Sequence, residues 1–183
     1  MDKFRINKEN SILVVVDVQE RLAAAMSEKN RVVSNTLHLI EAARLFEIPV
    51  LVTEQYPKGL GRTLSEITDA LPTHVPHEKI TFSCCGEQAF LDAIASTGKK
   101  YVMLTGMETH VCVLQTCIDL LRENYHLHVV ADAVCSRTQE NYRIALEFMR
   151  DAGAVITCTE TVLFQLLEKA GSEEFKTISR RIK

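Results

Sequence analysis

The chain has 183 residues, of which 46% are hydrophobic and 25% charged, proportions that are ordinary for one globular domain. Its 21 Lys and Arg residues against 24 Asp and Glu residues give a net charge of −3, so no excess of positive charge favours nucleic acid as a partner. The first hydrophobic run begins at Ile12 and is too short for a signal peptide or a membrane span. We therefore expect a single domain over residues 1–183 that is cytoplasmic, has no membrane partner and keeps its six cysteines reduced.

Short runs of β-branched residues alternate along the chain with longer segments of helical period. The runs predict six strands, at 12–16, 49–53, 79–82, 100–104, 127–131 and 154–158. Hydrophobic residues at helical spacing predict helices between them, most clearly over 32–45, 111–121 and 144–149. This alternation predicts an α/β fold, a three-layer α/β/α sandwich around a six-stranded, mostly parallel sheet with Rossmann-like topology.

Polar side chains follow several of these strands. In a parallel sheet of this type, ligands bind outside the carboxyl ends of the strands. The sequence places four chemically distinctive residues near those ends, namely Asp17, Lys79, Cys112 and Asp132. A carboxylate, an ammonium and a thiol at one sheet edge are difficult to explain by packing alone.

Cys112 follows a strand and a Gly106 turn, and it stands at the start of an amphipathic helix. The free N–H groups and the partial positive charge of a helix start favour a thiolate and can stabilise an oxyanion. The alternative is a small buried core residue.

Asp17 and Lys79 give the thiol its chemical context. Asp17 emerges from a buried strand, so its functional interpretation is a general base for Cys112 and its alternative is a helix cap. Lys79 would stabilise the thiolate by its charge; taken alone it would be a surface lysine. Together these three residues predict a nucleophilic cysteine site.

Three segments carry a family resemblance: Asp17-Val18-Gln19, Lys79 ahead of Thr81-Phe82-Ser83, and residues 105–116 around Cys112. In order and spacing they resemble the isochorismatase-like cysteine hydrolases, which include nicotinamidases and N-carbamoylsarcosine amidase. The resemblance implies a catalytic triad of Asp17, Lys79 and Cys112. It also implies a cis peptide between Met107 and Glu108, an oxyanion hole formed by the N–H groups of Glu108 and Cys112, and a homo-oligomer.

Residues 53–63 and 132–139 look like the smaller isochorismatase-domain-containing proteins, some of which carry a ribonuclease label. The residues predicted to bind substrate are Gln19, Gln55, Tyr56, Phe82 and Met107. The metal-binding Asp-x-His set of nicotinamidases has no counterpart after the second strand, so we expect neither a metal nor another cofactor. We interpret His110 as a surface or subunit-contact residue and not as the partner of a Cys–His dyad.

The predicted function is hydrolysis of a small amide, carbamoyl or ester substrate through a thioester intermediate. One alternative is a catalytically silent binding or regulatory protein with the same fold. A less favoured alternative is a nuclease-associated protein, although the charge balance argues against a nucleic-acid partner.

Overall fold

In the computed structural model, which describes residues 2–182, six strands form one sheet and every neighbouring pair is parallel. The strands are β1 (Ser11–Val16), β2 (Val50–Gln55), β3 (His77–Lys79), β4 (Tyr101–Met107), β5 (His126–Cys135) and β6 (Val155–Thr157). Their order in the sheet is β3-β2-β1-β4-β5-β6. The order reverses between β1 and β4, and ligands of such folds bind at that point of reversal. The predicted parallel fold with Rossmann-like topology is confirmed.

Helices cover both faces of the sheet. They are α1 (Glu20–Ala24), α2 (Lys29–Leu45), α3 (Pro57–Leu60), α4 (Ser65–Ala70), α5 (Gln88–Ser96), α6 (Leu114–Arg122), α7 (Gln139–Asp151), α8 (Thr159–Leu167) and α9 (Glu173–Arg181). Buried residues of α2, α4, α8 and α9 form one hydrophobic core, and those of α5, α6 and α7 form the other. None of the helices within residues 2–182 combines the length and hydrophobicity needed to span a bilayer.

Strand β1 contributes to both cores. Leu13 and Val15 belong to the α2 side, whereas Ile12, Val14 and Val16 belong to the α6 side. Because side chains alternate along a strand and both faces are covered, a central parallel strand must be hydrophobic throughout. This explains the uninterrupted run that precedes Asp17.

Strands β3 and β5 end at residues other than the predicted ones. Strand β3 ends at Lys79 because the chain then turns and its next carbonyl groups face the Lys79 ammonium. Strand β5 continues to Cys135, so Asp132 lies inside it and not at its end. The Asp132 carboxylate accepts hydrogen bonds from the N–H and hydroxyl of Thr159, at the start of α8, and the prediction that Asp132 stands at the end of a strand is wrong. The assignment of residues 1–183 to a single domain stays a prediction.

Gly106 allows β1 and β4 to approach at their carboxyl ends. It pairs with Val16 and has a φ of +124°, in the region that favours glycine. A Cβ at this position would lie 2.0 Å from the Val16 carbonyl oxygen. Asp17 and Met107, which follow Val16 and Gly106 in the sequence, therefore lie side by side.

Candidate active site

Asp17 and Lys79 form a buried ion pair at the carboxyl edge of the sheet. The Lys79 Nζ donates to Asp17 Oδ2 at 2.7 Å, and the Thr53 hydroxyl donates to Asp17 Oδ1 at 2.7 Å. Both charged side chains are almost completely buried. Buried charges are tolerated when they are paired and hydrogen-bonded, a condition that both carboxylate oxygens meet.

Lys79 serves as a fixed charge because its ammonium is fully occupied by the protein. Besides Asp17, it donates to Gln55 Oε1 at 2.8 Å, to the Phe82 carbonyl at 3.0 Å and to the Thr81 carbonyl at 3.3 Å. An ammonium has only three N–H donors, so none is left for a substrate. Burial alone would lower the pKa of Lys79, but the neighbouring Asp17 and the two nearby thiols raise it.

Cys112 lies in a π-helical turn (Thr109–Val113) that leads into α6, and its thiol is close enough to Asp17 and Lys79 for both charges to shift its pKa. Only 5% of its surface is exposed. Burial, and after it the charge of Asp17, raises the pKa of the Cys112 thiol, and the Lys79 ammonium offsets only part of this increase. Burial and the charge of Asp17 thus outweigh the influences of Lys79 and the helix start, which favour a thiolate.

Glu108 connects β4 to the turn that carries Cys112, and its peptide bond with Met107 is cis. Its carbonyl oxygen accepts hydrogen bonds from the N–H groups of Val111 and Val113, at 3.1 and 3.2 Å. Its carboxylate Oε2 accepts from the main-chain N–H and the Nε of Arg137, both at 3.0 Å. Within residues 2–182 no acceptor lies within hydrogen-bonding distance of the Glu108 N–H. The Glu108 N–H, four positions before Cys112 in the sequence, is therefore available to donate to a bound group.

Two of the residues predicted to bind substrate, Gln19 and Met107, are fully buried, and their role in binding stays a prediction. Gln19 is fully buried, and its amide nitrogen donates to the carbonyls of Gln55 and Gly61 at 3.0 and 2.7 Å. Its amide oxygen accepts from the Gln55 N–H at 2.8 Å, so the side chain holds the loop after β2 in place. Met107 is also fully buried and packs in the core on the α2 side of the sheet, whereas Cys112 belongs to the α6 side.

Gln55, Tyr56 and Phe82 surround Lys79. Gln55 contacts the ammonium directly, and its amide nitrogen donates to the Ile80 carbonyl at 2.7 Å. The Tyr56 N–H donates to the Lys79 carbonyl at 2.8 Å. The side chains of Tyr56 and Phe82 are 51% and 54% exposed. Their role as walls of a substrate pocket stays a prediction.

His110 has partners other than the thiol. Its Nδ1 lies 2.9 Å from the Ser136 hydroxyl, and its Nε2 lies 3.4 Å from the Asn141 amide nitrogen. With both ring nitrogens engaged, the imidazole has no lone pair left for Cys112. This agrees with the interpretation of His110 as something other than the base of a dyad.

Several residues of the site were missed in the sequence. Thr53 is the last residue of the second predicted strand, and a hydroxyl at that position was the only available signal. Cys84 Sγ lies 3.8 Å from the Thr53 hydroxyl, and burial raises the pKa of Cys84 to about 11. Arg137 and Ser136 follow β5 directly, but the predicted end of that strand at residue 131 hid their position.

In the described part of the chain, no group of three or more His, Cys, Asp or Glu side chains is arranged to hold a metal ion.

Comparison with known proteins gives a consistent result. The family model "Isochorismatase domain" matches residues 11–161. The "Secreted isochorismatase effector Isc1" of Phytophthora sojae is 43% identical over 183 residues, covering 98% of this chain and 87% of the relative. The solved MAR1 ribonuclease of Caenorhabditis elegans is 38% identical, with a TM-score of 0.90 over 97% of this chain and 92% of that chain. YcaC of Pseudomonas aeruginosa, solved with hexane-2,5-diol and covalent acrylamide, is 25% identical, with a TM-score of 0.90 over 97% and 91% of the two chains. The chain belongs to the isochorismatase family and has its hydrolase fold.

Proposed function

We propose that this chain is a cysteine hydrolase that cleaves a small amide, carbamoyl or ester substrate with Asp17, Lys79 and Cys112. The observation that carries the proposal is a buried thiol beside a buried carboxylate that is itself bound by Lys79 and Thr53. Because the pKa of the thiol is raised, the proton stays on sulfur until a substrate arrives. The carboxylate is then the group positioned to accept it.

In the first half of the reaction, Cys112 sulfur attacks the substrate carbonyl carbon while Asp17 accepts the thiol proton. The carbonyl electron pair moves to oxygen, and the N–H groups of Glu108 and Cys112 stabilise the resulting oxyanion. The oxyanion then re-forms the carbonyl, and the C–N or C–O bond to the leaving group breaks. Asp17 donates its proton to the leaving nitrogen or oxygen, which leaves a thioester on Cys112.

In the second half, Asp17 accepts a proton from water as the water oxygen attacks the thioester carbonyl. The same two N–H groups stabilise the second oxyanion. When this intermediate collapses, the C–S bond breaks, the acid leaves and Cys112 sulfur recovers its proton from Asp17. Throughout both halves the Lys79 ammonium stays bound to its protein acceptors and compensates the charge of the carboxylate.

Restricted access to the thiol supports a small substrate. Cys112 is 5% exposed, and the side chains beside Lys79 that reach solvent are those of Tyr56 and Phe82. The covalent acrylamide in the YcaC structure is itself a small amide, which is consistent with this size class. We retain the proposal that these two aromatic side chains line the entrance.

A ribonuclease is the second candidate, because the C. elegans relative carries that name. Its RNA affinity would fall steeply with salt, as phosphate contacts require. The charges near the site do not favour it: Arg62 is paired with Glu54 and Glu78, and Arg137 is paired with Glu108. A silent binding protein is the third candidate and predicts no turnover of any substrate.

The test combines mass spectrometry with turnover measurements. The wild type, Cys112→Ala and the control Cys158→Ala are incubated with small amides, N-carbamoyl compounds, p-nitrophenyl esters and acrylamide. We expect an acyl adduct on Cys112 and a loss of turnover of about 10³-fold or more in Cys112→Ala. Acrylamide alkylates a thiol by conjugate addition, so its adduct reports only that the sulfur is accessible. Cys158 lies outside the site, so its variant should behave like the wild type. Equal turnover in the wild type and Cys112→Ala, or no acyl adduct on Cys112, would rule out the proposal.

The proposed protein needs no cofactor and acts as a homo-oligomer. Assembly is supported by Ile144 and Phe148, which are exposed on α7, and by Leu114 and Ile118 of α6, which share a surface depression with Phe148. The cytoplasmic location stays a prediction, since the P. sojae relative is named as a secreted protein.

A further inference from the structure

Two side chains of the turn that carries the nucleophile, residues 108–113, are bound by one other segment, residues 136–141. Glu108 Oε2 is bound by the main-chain N–H and the Nε of Arg137. The His110 ring contacts the Ser136 hydroxyl through Nδ1 and the Asn141 amide through Nε2. Two side chains of the turn therefore have all their recorded partners within six consecutive residues, between the end of β5 and the first turn of α7.

These contacts determine the orientation of Glu108. Its carbonyl oxygen is held by Val111 and Val113, and its carboxylate is held by Arg137. The residue is thus fixed on both sides of its free N–H group, which the proposed mechanism uses to stabilise the oxyanion. His110 lies two positions before Cys112, and its ring is fixed at both nitrogens.

The Arg137 contact has little to contribute to folding. Its side chain is 61% exposed, and ion pairs with an exposed partner add little to stability. Although Arg137 is exposed, it binds the nearly buried Glu108 carboxylate. Its Nε and its main-chain N–H both donate to the same oxygen, Oε2. Such a contact is better suited to fixing a geometry than to stabilising the fold.

We propose that Arg137 and Ser136 are positioning residues for the oxyanion hole, acting through Glu108 and His110. This inference rests on the proposed function, because an oxyanion forms only if Cys112 attacks a carbonyl. Neither residue touches the reacting atoms. Their effect should therefore appear in reactions that generate an oxyanion and be absent from reactions of the same sulfur that do not.

Two reactions of Cys112 separate these cases. Iodoacetamide alkylates the sulfur by displacing iodide from a saturated carbon, so no oxyanion forms. The sulfur is acylated by p-nitrophenyl acetate through a tetrahedral oxyanion, with release of p-nitrophenol. Both rates are measured at Cys112 in the wild type, Arg137→Gln, Arg137→Lys and Ser136→Ala. The matched control is Arg143→Gln, because Arg143 is 62% exposed and pairs only with Glu147 along α7.

We expect Arg137→Gln to lower the acylation rate about tenfold while alkylation stays within about twofold of the wild type. Arg137→Lys should recover part of the loss because an ammonium can still pair with Glu108. Ser136→Ala should lower acylation by a smaller factor, and Arg143→Gln should change neither rate.

Two results would overturn the inference on its own: unchanged acylation in Arg137→Gln and Ser136→Ala, or acylation and alkylation falling by the same factor. In both cases the wild type is still acylated, so the proposed function survives. A wild type that is alkylated at Cys112 but never acylated would instead overturn the proposed function, and this inference with it.

Discussion

At Asp17 one carboxylate serves three neighbours. One oxygen accepts from Lys79, the other accepts from Thr53, and the Cys112 thiol lies beside the same group. Lys79 compensates the buried charge of the carboxylate, whereas the carboxylate raises the pKa of the thiol. If Cys112 is the nucleophile that we propose, its reactivity depends on Asp17 as much as on its position at a helix start.

Replacing Asp17 with Asn should separate thiol reactivity from catalysis. After burial, the charge of Asp17 is the largest cause that raises the pKa of Cys112, while the charge of Lys79 lowers it, so the variant loses the charge of Asp17 and keeps that of Lys79. A lower pKa means more thiolate at neutral pH, and each unit increases the thiolate fraction about tenfold while the thiol still predominates. We expect Asp17→Asn to be alkylated several-fold faster than the wild type at pH 7 and to lose turnover. Slower alkylation would contradict this account of the pKa.

At the scale of the elements, the site depends on how closely β1 and β4 approach at Gly106. Replacing Gly106 with Ala would place a methyl group against the Val16 carbonyl and would force an L-residue into a positive φ. We expect the free energy of unfolding to fall by at least about 3 kcal/mol, or the chain not to fold. Gly98 provides the control, because it also has a positive φ but nothing lies within 4 Å of a Cβ there. Urea denaturation should show a clearly smaller loss for Gly98→Ala, and equal losses would refute the steric argument.

At the scale of the whole molecule, His128 couples stability to pH. It is buried on β5, its Nε2 lies 2.8 Å from the Lys3 carbonyl oxygen, and its Nδ1 has no hydrogen-bond partner among residues 2–182. Burial lowers the pKa of His128 from 6.5 to about 4. Protonation would bury a second, unpaired N–H, so the ring stays neutral in the folded protein.

The sign of the pH dependence follows from this lowered pKa. Between pH 6.5 and about 4 the unfolded chain binds the His128 proton and the folded chain does not, so stability falls as the pH falls through that window. Through His128, the free energy of unfolding should fall by about 3 kcal/mol as the pH falls across this window. We expect urea denaturation at a series of pH values to give a shallower slope for His128→Gln than for the wild type. The exposed His126 is the control, and equal slopes for His128→Gln and His126→Gln would contradict the assignment.

The sequence by itself determined the parallel sheet and the three central residues of the site. Strands buried on both faces must be hydrophobic throughout, and the carboxyl ends of parallel strands meet at one edge, so Asp17, Lys79 and Cys112 could be brought together from local pattern alone. The runs at 12–16 and 49–53 were recognisable for the same reason. The end of β3 was not, because it depends on carbonyl groups that turn toward a buried ammonium.

Only the tertiary structure decided the surroundings of Cys112 and the contacts of the side chains around it. Burial is the main cause of the raised Cys112 pKa, and burial depends on what packs around a residue after folding. Thr53 reaches Asp17 across 36 positions, and Arg137 reaches Glu108 across 29. The Gln19 side chain holds the loop after β2 in place, because its three hydrogen bonds join segments that are distant in the sequence. Contacts between distant segments leave no periodic signal, which is why the sequence could predict that Asp17, Lys79 and Cys112 lie together but not which side chains bind them.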